Sequence, residues 1–303
     1  MSTNTDQFNI INLEESPDKL EQIITDQQKS FSDEKYIKDL LTSIYLCPDR
    51  ESDFDRFLKS LDFRTTLKLM TLFGVRQGDR LCEIGGGPGF FIWALRQSGY
   101  SSVELVEPND QYNTGTGYLR TRQDSGDIVI HSDLSAWHRS TDRIDVVITK
   151  NCIHHFKNIS QAAATIRQKM NDNGIWIAIR EQYADTPKEL YNLFLTHPYC
   201  QPFGIYEWSY PASHYVEAIE IAGFRLEAVV PLGYANNCLC SFSESPLGPE
   251  AQRRTGLIDQ ILATEPRKTV ESFWDEVAQG RRDTTIARRY SRPQMMVFRR
   301  IEV

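Results

Sequence analysis

The residues best suited to chemistry lie in one run, Leu81-Cys82-Glu83-Ile84-Gly85-Gly86-Gly87-Pro88-Gly89-Phe90-Phe91. An apolar stretch enters four glycines and leaves as a helical pattern, the order that places a ligand at the carboxyl edge of an α/β sheet. Glycine is needed there because the backbone must turn with unusual dihedrals and let a ligand approach where a Cβ would collide. Spacing separates the competing ligands. A phosphate-cradling loop needs Lys-Ser/Thr after its last glycine, whereas Phe90-Phe91 follows Gly89. A dinucleotide fingerprint needs glycine or alanine three residues after Gly87; that position is Phe90, so this reading fails as well, though less decisively. What remains is Glu83-x-Gly85-x-Gly87-x-Gly89, with a carboxylate that would repel a pyrophosphate and welcome a ligand ammonium group.

S-adenosylmethionine carries that ammonium group, and the run resembles the first motif of the class I S-adenosylmethionine-dependent methyltransferases. The resemblance implies a Rossmann-like α/β fold with a seven-stranded sheet whose last strand is antiparallel. It also implies S-adenosylmethionine as cofactor, held around Glu83, Gly85, Gly86, Gly87 and Gly89. Glu107 ends Val103-Glu104-Leu105-Val106-Glu107, about where an acid accepts both ribose hydroxyls. In the resembling family an acid placed like Asp133 accepts from the adenine amino group, and the next backbone N–H, here that of Leu134, meets a ring nitrogen. The stretch Asp145-Val146-Val147-Ile148-Thr149-Lys150-Asn151-Cys152-Ile153-His154-His155-Phe156 is similar to the small-molecule branch, with its Leu-His-His-like element. Lys150 and Asn151 would then flank the methionine end of the cofactor. The turn Asn171-Asp172-Asn173-Gly174 is like the family's Lys-Pro-Gly-Gly turn without its proline. The resemblance covers residues 80–230 and the last strand.

Methyl transfer from a sulfonium is an in-line displacement, so holding nucleophile and methyl carbon together in a dry pocket supplies much of the catalysis. A hydroxyl or ammonium nucleophile must also lose a proton, and a base with a pKa near neutrality helps. Of six histidines, His154, His155, His197 and His214 fall near the carboxyl edge, and His154 and His155 are the better placed. Neighbouring residues on a turn point in different directions, so at most one of that pair faces the substrate. Glu181, in Arg180-Glu181-Gln182-Tyr183, could act as base, orient a cationic substrate, or pair with Arg180 at the surface. The aromatic run from Tyr199 to Tyr210 could stack on a planar ring or simply be core. Neither an Asp/Asn-Pro-Pro-aromatic turn, expected of an amino-directed DNA methyltransferase, nor an acid cluster for a metal-dependent enzyme is present. No metal is expected.

The elements that must position these residues are legible as well. Short β-rich runs alternate with helical stretches from Arg80 onward, the signal for βαβ units. Strands are predicted at Arg80 to Ile84, Ser102 to Glu107, Ile128 to His131, Ile144 to Lys150, Gly174 to Ile179, Phe224 to Val230 and Met295 to Ile301. Helices fill Phe90 to Gln97, Ile159 to Met170 and Ala212 to Ala222. Before residue 75 the periodicity is helical: around Leu20, Ile23 and Ile24, from Ile37 to Tyr45, and in a series from Phe54 to Phe73 that stops at Gly74. Two units are expected, a helical cap at 1–75 and the cofactor domain at 76–303. Residues 183–210 and 231–292 interrupt the alternation and read as lid segments.

The 303 residues carry 34 basic and 41 acidic side chains, a net charge of −7 that offers no footprint for a phosphate backbone and disfavours nucleic acid. No apolar run approaches the ~20 residues needed to cross a bilayer, and no basic segment followed by an apolar one opens the chain, so a soluble, cytoplasmic protein without membrane contact is expected. Six scattered cysteines read as reduced thiols. The expected function is S-adenosylmethionine-dependent methyl transfer to an O, N or C atom of a small molecule, in specialised metabolism. The alternatives are a non-methylating enzyme that binds the same cofactor, a catalytically silent scaffold subunit, or a nicotinamide oxidoreductase that tolerates Phe90. The N-terminal helices could cap the site or form a homodimer interface.

Overall fold

A computed structural model describes residues 22, 25, 49–140, 142–196, 208–236, 238–240, 243–280 and 289–302. The expected helices around Leu20 and Ile37, and with them most of the surface assigned to a dimer, lie outside the described residues.

Seven strands form one sheet: β1 (Arg80–Ile84), β2 (Ser102–Val106), β3 (Val129–His131), β4 (Ile144–Lys150), β5 (Met170–Ile179), β6 (Phe224–Val230) and β7 (Met295–Arg300). Their order is β3-β2-β1-β4-β5-β7-β6, with β7 antiparallel to both of its neighbours. The strands are nearly continuous apolar runs, so both faces of the sheet are buried. Leu81, Val103, Leu105, Val146, Ile148 and Ile177 face one apolar layer, and Cys82, Ile84, Val106, Val147 and Trp176 face the other. On the first side lie α1 (Arg50–Lys59), α2 (Leu61–Leu72), α3 (Phe90–Gln97) and α9 (Pro249–Thr264); on the second lie α5 (Leu134–Arg139), α6 (Ile159–Lys169), α8 (Ala212–Ile221) and α10 (Arg267–Ala278). Two further helices, α4 (Gly117–Thr121) and α7 (Pro187–Thr196), lie in the connections.

Apart from shifts of one residue at several element ends, two boundaries differ from the sequence reading. The apolar series from Phe54 to Phe73 is two helices rather than one, broken at Ser60. That residue ends α1 in an extended conformation, and its hydroxyl caps α2 by accepting from the Phe63 N–H at 3.2 Å. β5 begins at Met170, because Met170 pairs with Ile144 ahead of a register shift; the Asn-Asp-Asn-Gly turn is an irregularity within the strand, with Asn173 at φ 61°.

Residues 231–292 distribute their packing in two directions. Leu262 of α9 joins the first apolar layer and Phe273 of α10 the second, so the pair wraps the exposed side of β6, an edge strand whose unpaired backbone needs covering. The same stretch holds α2: the Leu61 N–H donates to the Ser243 carbonyl at 2.7 Å, Arg64 donates to the Glu244 carbonyl at 2.6 Å, and Lys68 pairs with Asp259. The segment also reaches the chain leaving β5, where Arg292 pairs with Asp185 and Glu189.

Candidate functional site

The strand order reverses between β1 and β4, and the crevice beyond the carboxyl ends of these two strands is where an open α/β sheet takes its ligand. Residues 85–89 leave β1 there. A Cβ on Gly85 would lie 2.2 Å from the Cys152 sulfur, so the loop after β1 and the turn after β4 touch at a point only glycine permits. Gly85→Ala must displace that turn while holding φ at +72°, and it is expected to lower stability by about 2 kcal/mol or more, read as a fall in Tm. Gly87 is different. Its φ is +53°, yet the nearest atom to an added Cβ is the Thr114 carbonyl at 3.7 Å, so the backbone there borders open space of the kind a cofactor needs.

Glu83 does not stand open to that space. It lies beneath the loop at 2% exposure, with one carboxylate oxygen accepting from the Ile92 N–H of α3 at 3.1 Å. Burial pushes its pKa up to about 7, against the opposing pull of the Lys150 ammonium. It can act on a ligand cation through its field, across Gly86. Glu107 follows β2 directly. One of its oxygens accepts from the Gly87 N–H at 2.7 Å and the other from the Asn109 N–H at 2.9 Å. Asp133 is exposed and caps α5, accepting from the Ala136 N–H at 2.7 Å and the Ser132 hydroxyl at 2.9 Å; these hydrogen bonds hold its pKa below the usual carboxylate range. Leu134 opens α5 and packs against the second apolar layer.

His154 and Glu181 form a buried pair, with no side-chain exposure on either. The imidazole Nδ1 lies 2.9 Å from Glu181 Oε2. The other carboxylate oxygen accepts from the N–H groups of Cys152 and Ile153 at 3.0 and 2.9 Å. Burial alone would raise the Glu181 pKa, but the His154 bond and charge and these N–H groups outweigh it and hold it low. A carboxylate committed in this way is a poor base. It fixes the turn after β4 and, being an acceptor, places the imidazole proton on Nδ1. The expected surface pairing of Arg180 with Glu181 therefore does not occur. His155 is half-buried, its ring 4.1 Å from that of His154.

Lys150 is the last residue of β4 and pairs in register with Ile179, the last residue of β5, so Lys150 and Arg180 emerge side by side. Both strands then break into left-handed backbone, at Asn151 (φ 52°) and Arg180 (φ 58°), with the Asn151 N–H donating to the Ile179 carbonyl at 2.8 Å. Asn151 is exposed; Lys150 is roofed. Its ammonium sits 4.9 Å from the Phe57 ring centroid and 2.7 Å from Asp62 Oδ1 of α2, and the other Asp62 oxygen is 3.4 Å from Arg180. Burial lowers the Lys150 pKa, with Asp62 opposing the shift. Asp62 escaped the sequence reading because an acid in a first helical turn is already explained by the helix dipole. Nothing local distinguishes it from a surface acid, although it is wholly buried.

The remaining candidates lie elsewhere or beyond description. His197, Tyr199, Phe203 and Tyr206 fall outside the described residues. Tyr210 forms an isolated bridge with Tyr183, and the Tyr215 hydroxyl donates to the Gln182 carbonyl at 3.0 Å, which packs this aromatic group around the chain leaving β5. The ring of His214 lies against Tyr210. Among the described residues no cluster suits a metal ion, no helix is long and apolar enough to cross a membrane, and Cys82, Cys152 and Cys238 are free thiols.

Residues 54–229 match a family described as a methyltransferase domain. The match begins within α1, ahead of β1 where the sequence resemblance was drawn. No curated protein matches the sequence significantly. Among solved structures, the chain is similar to the [4+2]-cyclase SpnF at 14% identity and a TM-score of 0.47, over 79% of this chain and 81% of that one. It is similar to an S-adenosylmethionine-dependent methyltransferase from Mesorhizobium loti at 16% identity and 0.44, over 77% and 96%. The YcgJ protein from Bacillus subtilis gives 13% and 0.45, over 79% and 100%.

Proposed function

The chain belongs to the S-adenosylmethionine-dependent methyltransferases, and on that premise we propose that it methylates an O, N or C atom of a small molecule, in specialised metabolism, with His154 as the base where the acceptor must lose a proton. The observation that carries the small-molecule reading is the roof. Asp62, wholly buried, draws α2 down onto the carboxyl ends of β4 and β5, and the stretch after β6 buttresses that helix. A duplex or folded-protein acceptor would need this edge open along its length. The net charge of −7 points the same way.

In this reading the cofactor supplies the electrophilic methyl group and the protein supplies position, dryness and a proton acceptor. The loop at 85–89, Glu107 and the α5 N-terminus with Asp133 and Leu134 hold the nucleoside end. Glu83 supplies negative charge beneath the amino-acid end, near Lys150 and Asn151. Glu181 orients His154, leaving Nε2 as the basic nitrogen; His155 supports the ring from the side.

The test is incubation of purified protein with methyl-labelled S-adenosylmethionine and a panel of phenols, hydroxy acids and amines, with folded RNA and protein as competing acceptors. Label entering only the small-molecule fraction is expected. His154→Gln should lower turnover of a hydroxyl acceptor by roughly 10²–10⁴-fold, the usual contribution of a positioned base, while S-adenosylhomocysteine binding stays within about threefold. Label in RNA or protein alone would refute the small-molecule assignment, and undiminished turnover would remove His154 as the base.

A further inference from the structure

We propose that Lys150 and Arg180 form a carboxylate-binding subsite for the acceptor substrate, and that Asp62 of α2 occupies this subsite when no acceptor is there. The proposal rests on the methyltransferase reading above and adds the chemical class of the acceptor: a small molecule bearing a carboxylate.

Four observations converge. Lys150 ends β4 and Arg180 directly follows Ile179, the residue of β5 in register with Lys150, so both cations stand at the edge where an α/β sheet binds its ligands. Arg180 holds a left-handed backbone at φ 58°, which a residue with a Cβ adopts at an energetic cost and which tends to mark functional positions. One carboxylate serves both cations: Asp62 Oδ1 is 2.7 Å from the Lys150 ammonium and Oδ2 is 3.4 Å from Arg180 Nη1. That geometry is what an incoming carboxylate would reproduce, with its two oxygens bridging an ammonium and a guanidinium. Finally, Thr66, one turn beyond Asp62 on the buried face of α2, has no exposure, and its hydroxyl has no hydrogen-bond partner among the described residues. A buried hydroxyl without a partner is costly unless a ligand supplies one.

Exchange of Asp62 for an acceptor carboxylate conserves charge in the pocket, so the largely buried Lys150 ammonium keeps a counter-charge. It also loosens α2, since Asp62 is the link between that helix and the ends of β4 and β5. Acceptor binding and movement of the roof are thereby coupled, and the internal carboxylate competes with the external one.

Competition gives the proposal a signature that a merely structural ion pair lacks. Benzoate and benzamide serve as probes, titrated calorimetrically into the full-length protein saturated with S-adenosylhomocysteine. Benzoate is expected to bind at least about tenfold more tightly than benzamide, and Arg180→Gln to abolish that preference. Asp62→Asn, which removes the competitor at constant size, should tighten benzoate; a thermal melt verifies that the variant is folded. Equal binding of the two probes, or weaker benzoate binding by a folded Asp62→Asn protein, would overturn the subsite. A further arm compares S-adenosylhomocysteine with 5′-methylthioadenosine, which lacks the amino-acid carboxylate. If Arg180→Gln weakens the first and spares the second, the carboxylate held is the cofactor's and the acceptor assignment is wrong. If wild-type protein binds no S-adenosylhomocysteine, the cofactor reading itself fails, and the subsite with it.

Discussion

Replacing Glu107 by alanine is expected to raise the dissociation constant for S-adenosylhomocysteine by roughly 10²–10³-fold. Each hydrogen bond to an ionised carboxylate contributes about 1.5–3 kcal/mol, and each 1.4 kcal/mol is a factor of ten. In the proposed site Glu107 makes two such bonds to the ribose diol. It also anchors the glycine loop through the Gly87 N–H at 2.7 Å and steadies the chain after β2 through the Asn109 N–H at 2.9 Å. The variant loses ligand contact and loop placement together. Glu107→Gln keeps an acceptor for one N–H and should fall between the two. Calorimetry with wild-type protein and both variants decides the matter; unchanged binding by Glu107→Ala would remove this residue from the cofactor site.

The second large effect concerns Glu181, and it is one of stability as well as turnover. Alanine there strands the N–H groups of Cys152 and Ile153 and the His154 Nδ1 in a wholly buried place. Removing one member of a buried, hydrogen-bonded pair costs about 3–5 kcal/mol, which corresponds to a Tm lower by on the order of 10 °C. Glu181→Gln retains an acceptor oxygen and should lose less stability. It cannot hold an imidazolium, however, so turnover should fall even though the fold survives. The pH dependence follows from the sign of the shift. The folded-state pKa of Glu181 lies below its ordinary value, so its contribution is fully present above the ordinary carboxylate range and is lost as pH falls through the lowered value. Acid melts should show a shallower decline in Glu181→Gln than in wild type. Equal Tm values for wild type and Glu181→Ala would contradict the buried pair.

These two residues differ in how they could be found. Glu107 could be singled out because it stands at the carboxyl end of the apolar run 103–106, which the structure forms as β2. Glu181 was singled out as an acid near the pocket with three readings left open, and residue order could not choose among them, because a linear Arg-Glu pair says nothing of a partner 27 positions away in sequence. Glu83 illustrates the same limit. Its type and spacing marked it as the negative charge near a cationic ligand, yet only packing revealed that it sits under Gly86 and that burial lifts its pKa to about 7.

By itself, the sequence determined the sheet and the cofactor. Short apolar runs between helical stretches define the strands, which are buried on both faces, and glycines between Glu83 and Phe90 define a loop because Gly85, Gly87 and Gly89 all hold positive φ. Such constraints act between near neighbours, so residue order displays them. Tertiary structure decided what α2 does. Asp62 reads locally as a helix-start acid, and Lys150 and Arg180 as strand-end cations; their union depends on the Ser60 break that turns α2 over the sheet and on the Ser243 and Glu244 carbonyls that hold it there. A charge pair spanning 88 positions leaves no trace in residue order, because its energy depends on burial and distance that only the packed chain creates.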